Sequence, residues 1–111
     1  MTIFKYILKN GKVVVCNDLL KWGKWFETAD RIIQQDKIKV GKKEKFISTV
    51  FLGLDHNYSD GTPLLFETMV FDSTKGTVQY GSGEVVGRYA TKAQALKGHE
   101  KIVRNIKGLT H

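Results

Sequence analysis

With 111 residues, 41% of them apolar and 26% charged, the chain is sized for one domain over residues 1–111, which excludes both two independent cores and a disordered polymer. Eighteen lysines and arginines against 11 acidic residues give a formal charge of +7, which favours anionic partners: a small molecule such as a nucleotide, nucleic acid, or an acidic protein surface. No apolar run approaches the roughly 20 residues that span a bilayer, and MTIFKYILKNGK lacks a signal-peptide layout, so the expectation is a cytoplasmic protein with no membrane partner.

From Ile3 to Cys16, β-prone residues flank Asn10-Gly11, a pair suited to the positive φ angles of a two-residue hairpin turn. The single Cys16 has no partner for an internal disulfide, and its place after Val13-Val14-Val15 reads as a small buried hydrophobe. Asn17-Asp18 offers capping side chains for a helix over Leu19 to Thr28, whose Leu19, Trp22, Phe26 and Ala29 recur at helical spacing. On that stripe Trp22 and Phe26 are core residues and Trp25 is left for the surface.

A second hairpin follows, with strands over Arg31 to Lys39 and Lys45 to Leu54 around the lysine-rich turn Val40-Gly41-Lys42-Lys43-Glu44. Another strand runs from Pro63 to Asp72, Ser73 to Gly83 reads as turn because of Gly76, Gly81 and Gly83, and Glu84 to Tyr89 forms the last strand. Thr91 caps a final helix with Gln94 three residues on, Ala95, Leu96, Ile102, Val103 and Ile106 supply its apolar stripe, and Gly108 stops it. The fold class is α+β: an antiparallel sheet of five or six strands, a short helix in the N-terminal half, and a C-terminal helix packed on the sheet.

One residue resists this pattern. Pairing Thr49 with Glu67, Phe51 with Leu65 and Ile47 with Met69 places the Glu67 carboxylate inside a largely covered sheet, where an unpaired charge is costly. It bonds Thr49 or a lysine across the sheet, faces water on an incomplete edge, or lines a polar pocket with Asp55, His56 and Asn57. His99, between Leu96 and Val103 on the apolar side of the final helix, either joins that pocket or is a core histidine with its ring nitrogens satisfied; Gly98 beside it permits close approach of another segment.

Spacing argues against familiar catalytic templates. There is no HExxH, no paired CxxC, no GxxxxGK[ST] phosphate loop and no serine elbow, and Gly81-Ser82-Gly83 lacks the strand-to-helix setting of a dinucleotide turn. Two basic surfaces remain, either solvated or able to touch phosphate: Lys37, Lys39, Lys42, Lys43 and Lys45 around one turn, and Lys97, Lys101 and Arg104 along the final helix.

Three segments, KWGKWFETADR, ISTVFLGLDHNYSDGTPLLFETMVF and RYATKAQALKGHEKIV, resemble a widespread group of small proteins encoded by bacteriophages and prophages, over about Trp22 to Val103. The DHN tip, LLFETMVF and the GHE helix segment are the most specific parts, and Lys92 stands where the group's pattern carries an aromatic. The resemblance implies a phage origin and action in the cytoplasm of an infected bacterium. Short phage proteins often bind and block host components, which makes counter-defence the implied setting.

These observations combine into a non-enzymatic phage accessory protein that binds an anionic ligand such as a nucleotide, with no cofactor or metal. His56, Asn57, Arg88, His99 and Lys101 are the candidates to bond phosphate or sugar, and Trp25 or Tyr58 to stack a base; Asp55 and Glu67 form the polar pocket. Two alternatives stay open. One is an inhibitor docking exposed aromatics and lysines on an acidic host defence protein. The other is a metal-assisted hydrolase, which requires Asp55, His56, Glu67 and His99 to converge on one cavity.

Overall fold

Asn10 and Gly11 take φ angles of 52° and 77°, as the hairpin turn demands, and join β1 (Tyr6–Lys9) to β2 (Lys12–Val15). The computed structural model describes residues 5–54 and 62–108. Helix α1 (Leu19–Thr28) follows, capped by Asp18, whose carboxylate accepts from the Leu20 and Lys21 amides. Strands β3 (Ile32–Val40), β4 (Lys43–Phe51), β5 (Phe66–Thr74) and β6 (Thr77–Tyr89) and helix α2 (Lys92–Lys107) complete an α+β chain. The six strands form two antiparallel sheets, β1-β2 and β3-β4-β5-β6, where the sequence suggests one.

The small sheet docks at one end of the large one. Tyr6 donates its amide to the Gly53 carbonyl and Lys5 bridges Leu54, so Tyr6 is buried with Phe51, Leu65, Phe66 and Ala95. Its outer strand stays in water: Val13, Val14 and Val15 are exposed, and Cys16 is half-buried, contrary to the buried run expected.

Helix α1 corrects a second expectation. None of its residues is fully buried, Trp22 and Phe26 are only half-covered, and Leu19 is exposed. Trp22 must satisfy its indole N–H, and it does so on the Tyr6 and Gly53 carbonyls at 3.0 and 3.3 Å, which holds it at the junction of the sheets. Trp25, expected at the surface, is the residue that reaches the core, edge-on to Phe51 with ring centroids 5.7 Å apart.

In the large sheet Thr49 faces Thr68, Val50 faces Glu67 and Phe51 faces Phe66, one residue away from the expected pairing. Leu65 lies before the strand: its amide goes to the Tyr89 carbonyl and its carbonyl accepts from Leu52, so it is buried without entering the ladder. The shift changes which β5 side chains share a face with Thr49. Residues 73–83 are also not a turn. Lys75 and Gly76, at φ 50° and 81°, make a tight connection, and β6 runs on for 13 residues with its register broken at two places. Gly83 reads as a breaker but serves close approach, since a Cβ there would strike the Phe71 ring.

Helix α2 begins at the expected capping box of Thr91 and Gln94 and ends at Gly108, whose φ of 74° closes the helix on the Arg104 and Asn105 carbonyls. It buries Ala95, His99 and Val103, while Leu96, Ile102 and Ile106 are half-buried flanks. Tyr89 lies between Gly87 of β6 and Gly98 of α2, and a Cβ at either glycine would collide with its ring. The apolar clusters, one around Phe51 and Phe66 and one of Ile38, Ile47 and Val103, both lie on the α2 face of the sheet.

Ile47 is wholly buried and Leu96 is not. Ile47→Ala is therefore expected to cost about 2–5 kcal/mol in urea denaturation, and Leu96→Ala less than that range. Equal losses would show that the α2 seat has been assigned to the wrong residues.

Candidate functional site

Strand alternation aims Asp36, Thr49 and Thr68, on β3, β4 and β5, at the α2 face, and the helix lays His99 over them. The His99 Nε2 lies 2.6 Å from Asp36 Oδ2 and its Nδ1 lies 2.7 Å from Thr49 Oγ1, which meets Thr68 Oγ1 at 2.5 Å. Gln34 extends the chain, donating to Asp36 at 3.2 Å and to Glu100 at 2.8 Å. An Nε2–H donated to the carboxylate leaves Nδ1 to accept the Thr49 hydroxyl proton in one tautomer, and either threonine hydroxyl can donate to the other.

Acid, imidazole and hydroxyl in a row have the connectivity of a nucleophilic relay, but Thr49, Thr68 and His99 have no exposed surface. A nucleophile must reach a substrate carbonyl or phosphorus, and this hydroxyl faces only protein. The chain is an internal fastening. His99, proposed from the sequence for a ligand, has both ring nitrogens occupied inside the fold.

Glu67 points to the opposite face. It is 8% exposed, and Arg88, directly across on β6, donates Nε–H to its Oε2 at 2.9 Å. Its partner is thus neither Thr49 nor a lysine. Because Glu67 and His99 lie on opposite faces of the sheet, they do not share a cavity, and the four-residue convergence needed for a metal-assisted hydrolase fails at this pair. Among the described residues no three His, Cys, Asp or Glu side chains are grouped to hold a metal ion. Asp55, His56, Asn57 and Tyr58 lie outside the described residues.

Two of the residues singled out in the sequence do meet. Arg88 and Lys101 line a groove of about 600 Å3 where the end of β6 runs beside α2, together with Tyr89, Gln94, Lys97 and Gly98. The bare Gly98 lets the Tyr89 ring sit against the helix, and Lys97 and Lys101, one turn apart, share the helix flank above it. Gln94 is already engaged by the helix cap, accepting from the Ala90 and Thr91 amides. Sequence reasoning placed Lys97 with Lys101 on a basic stripe of the final helix but did not bring that stripe to the end of β6. Trp25 is remote in role: it packs on Phe51.

Thr49→Val removes the partner of a buried ring nitrogen and should cost about 1–3 kcal/mol, whereas adding His99→Leu should cost less than the sum of the single losses. Strict additivity in that double-mutant cycle would deny the hydrogen bond. Across the sheet, Arg88→Ala should destabilise more than Glu67→Gln, because it strands a buried carboxylate, while an arginine that is 39% exposed can turn to water. Denaturation midpoints in the reverse order would contradict this.

No protein-family model matches the chain, and no curated protein or solved structure matches it either.

Proposed function

We propose that this is a non-enzymatic binding protein of phage origin that holds an anionic small molecule, with a nucleotide as the model ligand, in the groove between β6 and α2, and that it serves counter-defence in the infected cell. The observation that carries the reading is a groove lined by Lys97 and Lys101 from α2 and by Arg88 from β6, with an aromatic wall, Tyr89. Lysine ammonium groups attract phosphate as mobile point charges, while Arg88, bonded through Nε to Glu67 on the face away from α2, adds its charge from the β6 side of the groove. Binding is favoured over catalysis by the fate of the acid and base candidates: Glu67 is ion-paired and His99 is sealed. The phage resemblance supplies the setting and the charge supplies the ligand class.

Native mass spectrometry of the protein from infected and uninfected cells should show an anionic small molecule that is released on denaturation. In calorimetric titration with ATP as probe, Lys97→Ala with Lys101→Ala should weaken binding at least tenfold, with an unchanged denaturation midpoint. A ligand-free protein that also fails to bind ATP, or a double variant with undiminished affinity, would overturn the reading.

A further inference from the structure

The large sheet has a second face, and its side chains are not those of an idle solvent surface. Both apolar clusters, α2 and the docked Tyr6 lie on one side, and no described helix packs on the other. Strand register places a transverse row on that other side: Lys37 of β3 opposite Phe46 of β4, and Phe46 opposite Phe71 of β5. The Phe46 and Phe71 ring centroids are 6.2 Å apart, and Tyr80 of β6 continues the row edge-on to Phe71 at 5.3 Å. Gly83 leaves the space the Phe71 ring needs. Phe71 is buried by its neighbours and Phe46 is half-buried, but Tyr80 is 71% exposed, the one exposed aromatic among the described residues.

This row borders a cluster of lysines. Lys39 follows Lys37 on the same face, about 6–7 Å further along the strand. The β3–β4 and β5–β6 turns lie at this end of the sheet and, with Lys39, Lys42, Lys43, Lys45 and Lys75, bound a bay of about 770 Å3 that wraps the sheet's end, Lys39 and Glu44 entering it from the aromatic side and Lys45 and Asp72 from the α2 side. The turns are fixed relative to each other. Glu44 Oε1 accepts from Ser73 Oγ at 2.5 Å and from the Gly76 amide at 3.2 Å, and Lys37 Nζ donates to the Gly76 carbonyl at 2.9 Å. The Ser73 hydrogen bond, with help from the Gly76 amide, Lys37 and Lys39, holds the Glu44 carboxyl below its ordinary range against a smaller opposing effect of burial. Asp72 is likewise paired, with Lys45. Both carboxylates of the bay are engaged, and Lys39, Lys42, Lys43 and Lys75 are all exposed.

We propose that this face binds single-stranded nucleic acid, with the lysine bay on the phosphate backbone and Tyr80, flanked by Phe46, as a stacking platform for unpaired bases. An open sheet face with aromatics beside a cationic track is the arrangement that engages exposed base planes. A duplex would use the lysines and leave Tyr80 without a partner. Lysines carry the positive charge here and no arginine lines the bay, so contacts follow backbone charge more than base edges and sequence preference is weak. The site shares no residue with the groove at α2, so the two proposals stand or fall separately.

The test is fluorescence anisotropy with a labelled 20-mer of oligothymidylate, a duplex of equal length, and poly-glutamate as competitor. The single strand should bind more tightly than the duplex. Tyr80→Ala should weaken it at least about fivefold while Tyr80→Phe preserves it. Changing Lys42, Lys43 and Lys75 together to alanine should weaken it further and flatten the slope of log affinity against log salt by about 2. Lys97→Ala with Lys101→Ala should leave it unchanged. Denaturation midpoints check that each variant is folded. Equal affinity for duplex and single strand, indifference to Tyr80→Ala, or loss of binding in the Lys97 and Lys101 variant would overturn the proposal. Poly-glutamate binding more tightly than the oligonucleotide would also overturn it, in favour of an acidic protein partner.

Discussion

The seat of α2 on the sheet turns on one buried side chain, His99. Its ring is fully enclosed and bonded at both nitrogens, to Asp36 on one side and Thr49 on the other, with Thr68 completing the row. An apolar helix stripe tolerates small sliding, because one methyl contact replaces another. A buried imidazole does not, since any displacement leaves a polar atom without a partner at the full cost of its desolvation. Ala95 and Val103, one turn before and after His99, then find their apolar clusters as a consequence of where the ring is held.

The same fastening decides the register of β5 and, through it, the electrostatics of the opposite face. Thr68 must lie under Thr49, so its neighbour Glu67 must point away, where it would be a buried carboxylate without a partner. Arg88 on the adjoining strand answers that need. Arg88 is therefore held by the fold while it borders the groove, and Lys97 and Lys101 are the cations there that retain freedom to follow a ligand.

Local signals in the sequence were legible, and non-local ones were not. Asn10-Gly11, the Asp18 cap, the Thr91 and Gln94 box and the Gly108 stop each act through bonds within a few residues, and all appear as read. The one-residue error between β4 and β5 arose because both faces of the two runs are apolar, so the pattern does not distinguish Leu65 from Phe66 as the partner of Phe51. Trp22 and Trp25 both end half-buried, because helical periodicity identifies an apolar stripe and is blind to the carbonyls that the Trp22 indole N–H will seek and to the Phe51 ring that Trp25 meets. Gly83 suggested a turn for want of any local sign that Phe71, twelve residues earlier, would need the space. For the candidate site, charge type drew attention to Arg88 and Lys101, but no spacing rule links a strand end to a helix flank.

The two faces of the large sheet also bear on how the protein can meet another molecule. An edge strand invites pairing with a further strand, and both edges here oppose it: β3 carries Lys37 and Lys39, and β6 has two breaks in register that interrupt the row of backbone groups it could offer. Approach through the sheet's rim is thus disfavoured, while approach onto its face is not. The core on the α2 side is closed without Phe46, Phe71 or Tyr80, so the aromatic row is not needed to complete it. Stability alone would favour polar or charged groups at a position as exposed as Tyr80. An aromatic ring kept in water beside a lysine bay fits a surface shaped for a flat, negatively charged partner better than a surface shaped for solvent.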